Sequence, residues 1–295
     1  MTMGDILLNW GTGVVLWLQS FSSVPLDAFF RAVTFLGEEQ FYLILLPLIF
    51  WCLDKGAGAR LAFLFLFSAY ANNGLKEIFH APRPFQFDPR VREIGKATGY
   101  GFPSGHAQGT GVVWGYLATR WRKGWVWALA IVLPLLVALS RVYLGVHFPH
   151  DVIGGLLAAV LLILIYNWLL PAAEARIGDL PLGAKLALVT VIPLILLFLH
   201  PAEDTATPMG AFLGMGVGFT LEGEFVGFSV DGPWWKRVLR FLLGLAVTFA
   251  LYLGLKEIFP PGLPFRLLRY GLIGLWGGFF APWLFVKTAL AEGSA

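Results

Sequence analysis

Trp125-Val-Trp-Ala-Leu-Ala-Ile-Val-Leu-Pro-Leu-Leu-Val-Ala-Leu-Ser-Arg-Val-Tyr143 is followed, after a short turn, by Pro149-His-Asp-Val-Ile-Gly-Gly-Leu-Leu-Ala-Ala-Val-Leu-Leu-Ile-Leu-Ile-Tyr-Asn-Trp-Leu-Leu170. Each run is about 20 residues of mostly apolar side chains, the length at which a helix crosses a hydrocarbon core of about 30 Å. Proline suits the first position of a helix, so the second run begins at Pro149 and carries Asp151 in its first turn. The ionisable residues lie at the ends of these runs, where a membrane tolerates them and where they are most often used.

Further runs of about spanning length occupy 38–53, 59–79, 105–121, 182–199, 207–221, 238–257 and 267–287, separated by short polar breaks that leave no room for a soluble domain. The expected fold class is therefore all-α, a multi-span transmembrane helical bundle. Residues 5–20 and 25–36 are shorter and aromatic-rich; they read as interfacial or partly inserted helices with Trp10 and Trp17 at headgroup level. No Lys or Arg precedes Arg31, so the basic start of a cleaved signal peptide is missing. Composition agrees: 58% of residues are hydrophobic and 13% charged, against roughly a quarter charged in soluble domains, and the mean hydropathy is +0.74. A net charge of +3 without a long basic run gives nucleic acid no footprint. The single cysteine, Cys52, excludes an internal disulfide and a cysteine metal cluster, and reads as a small buried hydrophobe.

Short loops holding Lys55 and Arg60, Arg120, Arg122 and Lys123, and Lys236, Arg237 and Arg240 fall on one side, which the positive-inside tendency makes cytoplasmic. Three ionisable clusters fall at the opposite span ends. The first is Lys76-Glu-Ile-Phe-His-Ala-Pro-Arg83-Pro84: Lys76 closes a helix, and the prolines push Ala81 and Arg83 into extended backbone, so that two cations can converge on one anion. The second is Pro103-Ser104-Gly105-His106, where Ser104 reads as the N-cap of a helix whose free N–H groups face an anion and whose glycine lets a ligand approach. The third is Ser140-Arg141-Val-Tyr-Leu-Gly-Val-His147-Phe-Pro-His-Asp151, in which Asp151 lies near His147 and would fix its tautomer, leaving the other nitrogen as a nucleophile. Each alone has an ordinary explanation: cations complementing a helix dipole, a capped helix start, or an Arg141–Asp151 ion pair. Together they supply every part of a phosphoryl transfer, with no carboxylate cluster for Mg²⁺ and no His/Cys cluster for Zn²⁺.

The ordered triple resembles the signatures of the type 2 phosphatidic acid phosphatase superfamily, the lipid phosphate phosphatases: Lys then six residues to Arg-Pro, then Pro-Ser-Gly-His, then Ser-Arg with five residues to His and three more to Asp. Here these are Lys76…Arg83-Pro84, Pro103-Ser104-Gly105-His106 and Ser140-Arg141…His147…Asp151, with spacing intact. The resemblance covers roughly residues 38–170. It implies a six-helix core with its site at the outer leaflet, and catalytic roles for His147 as nucleophile, Asp151 as its orienter and His106 as proton donor. Lys76, Arg83, Ser104, Gly105 and Arg141 would hold the phosphoryl oxygens, with neither metal nor cofactor. The expected organisation is an N-terminal stretch 1–37, a phosphatase-like membrane core 38–200, and additional spans 201–295. Expected substrates are amphiphilic lipid phosphates: polyprenyl diphosphate, phosphatidate, phosphatidylglycerol phosphate or a sphingoid-base phosphate, met among membrane lipids in a cell membrane. A lipid-phosphate transporter or binding protein is the alternative; it accounts for the cations but not for His106 together with His147 and Asp151.

Three features lie beyond the motifs. The loop 86–100 carries Asp88, Arg90, Arg92, Glu93 and Lys96, and reads as a solvated loop on the headgroups. Gly74-Leu-Lys-Glu-Ile-Phe79 recurs as Gly254-Leu-Lys-Glu-Ile-Phe259, but Leu263 stands where Arg83 stood and no second His/Asp cluster follows, so a second active site is not expected. Glu222 and Glu224 read as interfacial.

Overall fold

The computed structural model describes residues 3–294 and is helical nearly throughout. In chain order the helices are α1 (Met3–Gln19), α2 (Val24–Thr34) with a 3-10 turn (Phe35–Gly37), α3 (Glu39–Leu48) with a π turn (Ile49–Leu53), α4 (Lys55–Phe79), the short α5 (Pro84–Phe87), α6 (Gly105–Trp121), α7 (Gly124–Tyr143), α8 (Pro149–Gly178), α9 (Leu182–Leu199), α10 (Glu203–Phe225), α11 (Trp234–Ile258), α12 (Leu263–Leu275) with a π turn (Trp276–Phe280), and α13 (Ala281–Lys287). Among the described residues the only extended pairing is one bridge between Phe228 and Gly293. The fold is the all-α, multi-span membrane architecture expected.

The spans are less uniform than the sequence runs. Helices α7, α8, α9 and α11 are long and apolar enough to cross a bilayer, and α2 and α3 with their turns pass together as a segment bent by 52°. The runs at 59–79, 105–121, 207–221 and 267–287 are helical but fall short of that standard. Helices α6 and α12 are too short, at 17 and 13 residues, while α4 is diluted by Ser68, Asn72 and Asn73 and α10 by its glycines and Glu222. The last run is also broken by its π turn.

Two compact units account for the contacts. The first comprises the chain up to Tyr42 together with Ala71–Ile165. In it, small residues let α6 and α8 approach closely: a Cβ on Gly111 would lie 2.9 Å from the Ala159 methyl, and one on Gly155 would lie 2.5 Å from the Ser104 carbonyl. Tyr42 on α3 meets Thr110 of α6 at 3.1 Å, and Phe30 of α2 packs on Tyr143 of α7 with ring centres 4.3 Å apart. Gln19, at the end of α1, donates to the carbonyls of Arg92 and Tyr143 and accepts from the Arg92 N–H. It thereby ties the 86–100 loop to the turn after α7.

The second unit comprises Leu43–Tyr70 and the chain from Tyr166 onward. Here α10 and α12 pack backbone to backbone: a Cβ on Gly214 would overlap the Gly271 carbonyl, and one on Gly218 would lie 2.9 Å from Gly278 Cα. Phe50, Trp51, Phe228 and Phe285 form its aromatic core. Glu222 is not interfacial as expected. It is 1% exposed, paired with Lys55 at 2.7 Å and bonded by the Phe228 N–H at 2.8 Å. Burial is tolerable because both its charge and its lone pairs are met. Arg240, also buried, donates to the carbonyls of Ser229 and Val230. Cys52 is buried and free, as its apolar setting suggested.

Candidate active site

All three sequence clusters lie in the first unit, and backbone bonds stitch them together. Gly101 N–H donates to the Ala81 carbonyl at 2.8 Å, and Ser104 N–H to the Asp151 carbonyl at 2.9 Å. Asn72, on the last turns of α4, donates to Gln108 Oε1 of α6 at 2.8 Å and to the Pro103 carbonyl at 3.3 Å. A Cβ on Gly105 would meet the Asn72 Oδ1 at 3.0 Å. Glycine at this position therefore serves packing as well as access. Lys76 occupies the last turn of α4, as read from sequence.

Ser104 sits at the N-cap of α6 in extended backbone, φ −69° and ψ 114°, but its hydroxyl does not cap the helix. The first intrahelical bond is Gln108 N–H to the Ser104 carbonyl, so the N–H groups of Gly105, His106 and Ala107 precede it and aim outward with the positive helix end. The Ser104 Oγ is buried without a hydrogen-bond partner, and so is the Arg141 Nε. Leaving buried polar atoms unbonded costs about 1–3 kcal/mol each. Both are hydrogen-bond donors that an anionic oxygen can satisfy.

Arg141, on the last turn of α7, is 3% exposed and donates through Nη1 to the Thr34 hydroxyl at 2.9 Å. Arg83 is extended, φ −92° and ψ 158°, as its flanking prolines dictate. Its guanidinium donates to the carbonyls of Thr98, Gly99 and Val146 at 2.7, 2.9 and 2.9 Å. Most of its fork thus holds the loops, and Nη1 also lies 3.2 Å from His147 Nε2.

His147 follows the turn at Gly145, which takes the left-handed φ of +76°; a Cβ there would also collide with the Arg92 carbonyl. The imidazole is 2% exposed, and its Nδ1 lies 3.3 Å from Asp151 Oδ2. The same carboxylate oxygen accepts the Phe148 N–H at 2.8 Å. The tautomer follows from the two neighbours. A carboxylate only accepts and a guanidinium only donates, so Nδ1 carries the proton and Nε2 presents a lone pair toward Arg83. Burial, and then the charges of Arg141, Arg83 and Lys76, hold His147 well below the ordinary imidazole range, so it stays neutral.

His106 meets a residue that the motifs do not contain. Its Nε2 lies 3.2 Å from Glu38 Oε1, and Gly37 presses on the ring so closely that a Cβ there would lie 2.7 Å from His106 Cδ2. Thr34, Gly37, Glu38 and Asn72 are therefore site neighbours without a sequence signal, because their relation to the motifs is purely tertiary. His150 stacks on Phe148 with ring centres 5.2 Å apart. In the 86–100 loop, Arg90 pairs with Asp88 at 2.7 Å on the surface. Among the described residues no three His, Cys, Asp or Glu side chains gather as a metal ion requires.

This arrangement can bind a tetrahedral anion and offer it an oriented nucleophile. The sequence profile described as PAP2 superfamily matches residues 57–174, and that of the PAP2 superfamily phosphatase transmembrane extension matches 206–293. The chain belongs to the PAP2 superfamily. Sphingosine-1-phosphate phosphatase 1 of Rattus norvegicus is 26% identical to it, over 96% of this chain and 77% of the relative. Sphingosine-1-phosphate phosphatase 2 of Mus musculus is 34% identical over 65% of this chain and 56% of the relative. Among solved structures, the first transmembrane PAP2 type phosphatidylglycerolphosphate phosphatase from Bacillus subtilis is 26% identical, over 56% of this chain and 86% of that one, with a TM-score of 0.47. This PAP2 chain is thus a multi-pass membrane protein of a lipid phosphatase family, and its C-terminal third falls within a recognised extension of that family.

Proposed function

We propose that this PAP2 protein hydrolyses a phosphate or diphosphate monoester of an amphiphilic lipid through a phosphohistidine, without a metal ion, at the non-cytoplasmic face. The observation that carries the reading is the His147 pairing, with Nδ1 against Asp151 and the Nε2 lone pair against Arg83. His147 Nε2 attacks phosphorus, an N–P bond forms and the ester P–O bond breaks. His106 gives its proton to the departing alkoxide. It then takes one from water, whose oxygen attacks phosphorus and breaks the N–P bond, releasing phosphate. Lys76, Arg83, Arg141, the Ser104 hydroxyl and the N–H of Gly105 neutralise the equatorial oxygens, where the charge of a phosphoryl-transfer transition state resides. Among substrates, a sphingoid-base phosphate has the support of the relatives' names; polyprenyl diphosphate, phosphatidate and phosphatidylglycerol phosphate complete the panel.

Purified protein incubated with that panel in excess EDTA is expected to release phosphate, and orthovanadate to inhibit by adopting the five-coordinate geometry at His147. Three cations already supply the charge that a metal would bring. An activity that EDTA abolishes and Mg²⁺ restores would overturn the metal-free site.

The facing of the site is tested by labelling, in a Cys52→Ala background. Lys96 is exposed in the motif-bearing loop and Gly124 is exposed at the start of α7 with open space around its Cβ position. Lys96→Cys is expected to react with an impermeant maleimide in intact cells, and Gly124→Cys only after permeabilisation. The reverse pattern would place the site on the cytoplasmic face.

A further inference from the structure

We infer that Glu38 is a positioning residue for His106, holding the Nε2–H so that the proton delivered to the leaving alkoxide comes from Nδ1. The inference rests on the reading of His106 as proton donor and adds a fourth chain segment, Thr34–Glu38, to the site. Three observations carry it. First, Glu38 Oε1 lies 3.2 Å from His106 Nε2; an ionised carboxylate only accepts, so the proton at that contact belongs to the ring. Second, the contact is braced. Gly37 leaves no room for a Cβ against the His106 ring, and three residues earlier Thr34 accepts a hydrogen bond from Arg141. The segment therefore registers on two motifs at once. Third, the Glu38 contact engages the ring through Nε2, so Nδ1 is the nitrogen from which a proton can pass to a ligand.

The result is a second acid–imidazole pair of opposite polarity. At His147 the carboxylate takes Nδ1–H and Nε2 presents a lone pair. At His106 the carboxylate takes Nε2–H, and the second proton of the imidazolium sits on Nδ1. A carboxylate beside an imidazolium partly offsets the burial and the cations that disfavour the protonated ring. The charged or titratable groups whose fields reach His106 are Glu38, Arg141, Lys76 and His147. Of these only Glu38 is anionic. The Glu38 side chain is 41% exposed, so replacing it threatens the fold little.

The test is the dependence on leaving group. An alkyl phosphate needs a proton on its departing oxygen, whereas p-nitrophenyl phosphate expels a stable anion without one. Glu38→Gln keeps the side chain's shape and removes its charge. It is expected to lower kcat on a long-chain alkyl phosphate by about 10²-fold, the usual worth of a positioned general acid. The burst of p-nitrophenolate in the same preparation should be nearly unchanged. The high-pH limb of the alkyl-phosphate profile should move to lower pH, and Glu38→Asp should recover part of the loss. Gly37→Ala, which displaces the ring, is expected to show the same contrast between substrates. Equal loss on both substrates, or no loss on either, overturns the role given to Glu38. Trapping is separate: if the wild type forms no acid-labile phosphoryl adduct, the nucleophile assigned to His147 fails, while the contrast between leaving groups still decides Glu38.

Discussion

His147→Ala is expected to abolish phosphate release, by at least about 10⁴-fold in kcat, because no other side chain can stand in for an in-line nucleophile. Substrate binding should survive. Arg83 keeps its three carbonyl contacts in the variant and Arg141 its bond to Thr34, so the cations remain where they are. Wild-type protein mixed with ³²P-labelled substrate and quenched should carry a label that is lost in acid and retained in base, as a phosphoramidate bond requires. The variant should carry none. The neutral state of the buried imidazole makes this expectation stronger, since a protonated ring would have no lone pair to offer. Full activity in His147→Ala would sink the mechanism.

The second large effect is expected at Asp151→Asn. In the wild type one oxygen, Oδ2, receives both the His147 Nδ1–H and the Phe148 N–H. An asparagine can present its carbonyl oxygen at the same point, so geometry and tautomer survive. Its amide nitrogen then replaces Oδ1, which lies 3.3 Å from His150 Nε2. What disappears is the negative charge. When Nε2 bonds to phosphorus the ring becomes cationic, and a buried carboxylate stabilises that cation where little water can. The loss should therefore fall on kcat, of order 10²–10⁴-fold, with KM little altered and formation of the adduct slowed in rapid-quench measurements. An unchanged kcat would remove Asp151 from the mechanism.

Much of the site was legible because its parts are local. Pro82 and Pro84 force an extended Arg83, Ser104 opens a helix, and Pro149 places Asp151 one turn into α8. Each is a short-range consequence of backbone chemistry, read without knowing what lies opposite. Arg83 was only half legible. Its charge and fork shape pointed to an anion, but the fork is largely committed to the carbonyls of Thr98, Gly99 and Val146, and a sequence does not say which loops will fold over a guanidinium.

What the sequence determined by itself is the class of environment and the order of chemical groups along the chain. Apolar length places helices in a bilayer, because apolar side chains favour hydrocarbon and a helix satisfies its own backbone hydrogen bonds there. The spacing of Lys76, Arg83, Ser104, His106, Arg141, His147 and Asp151 then places their side chains at helix ends. Tertiary structure alone decided the pairings between segments distant in sequence: Glu38 with His106, Thr34 with Arg141, Asn72 with Gln108, and Lys55 with the buried Glu222. Nothing in local propensity or periodicity encodes these contacts. They arise because a buried polar group must find a partner inside the protein, and which partner is within reach depends on how the helices pack.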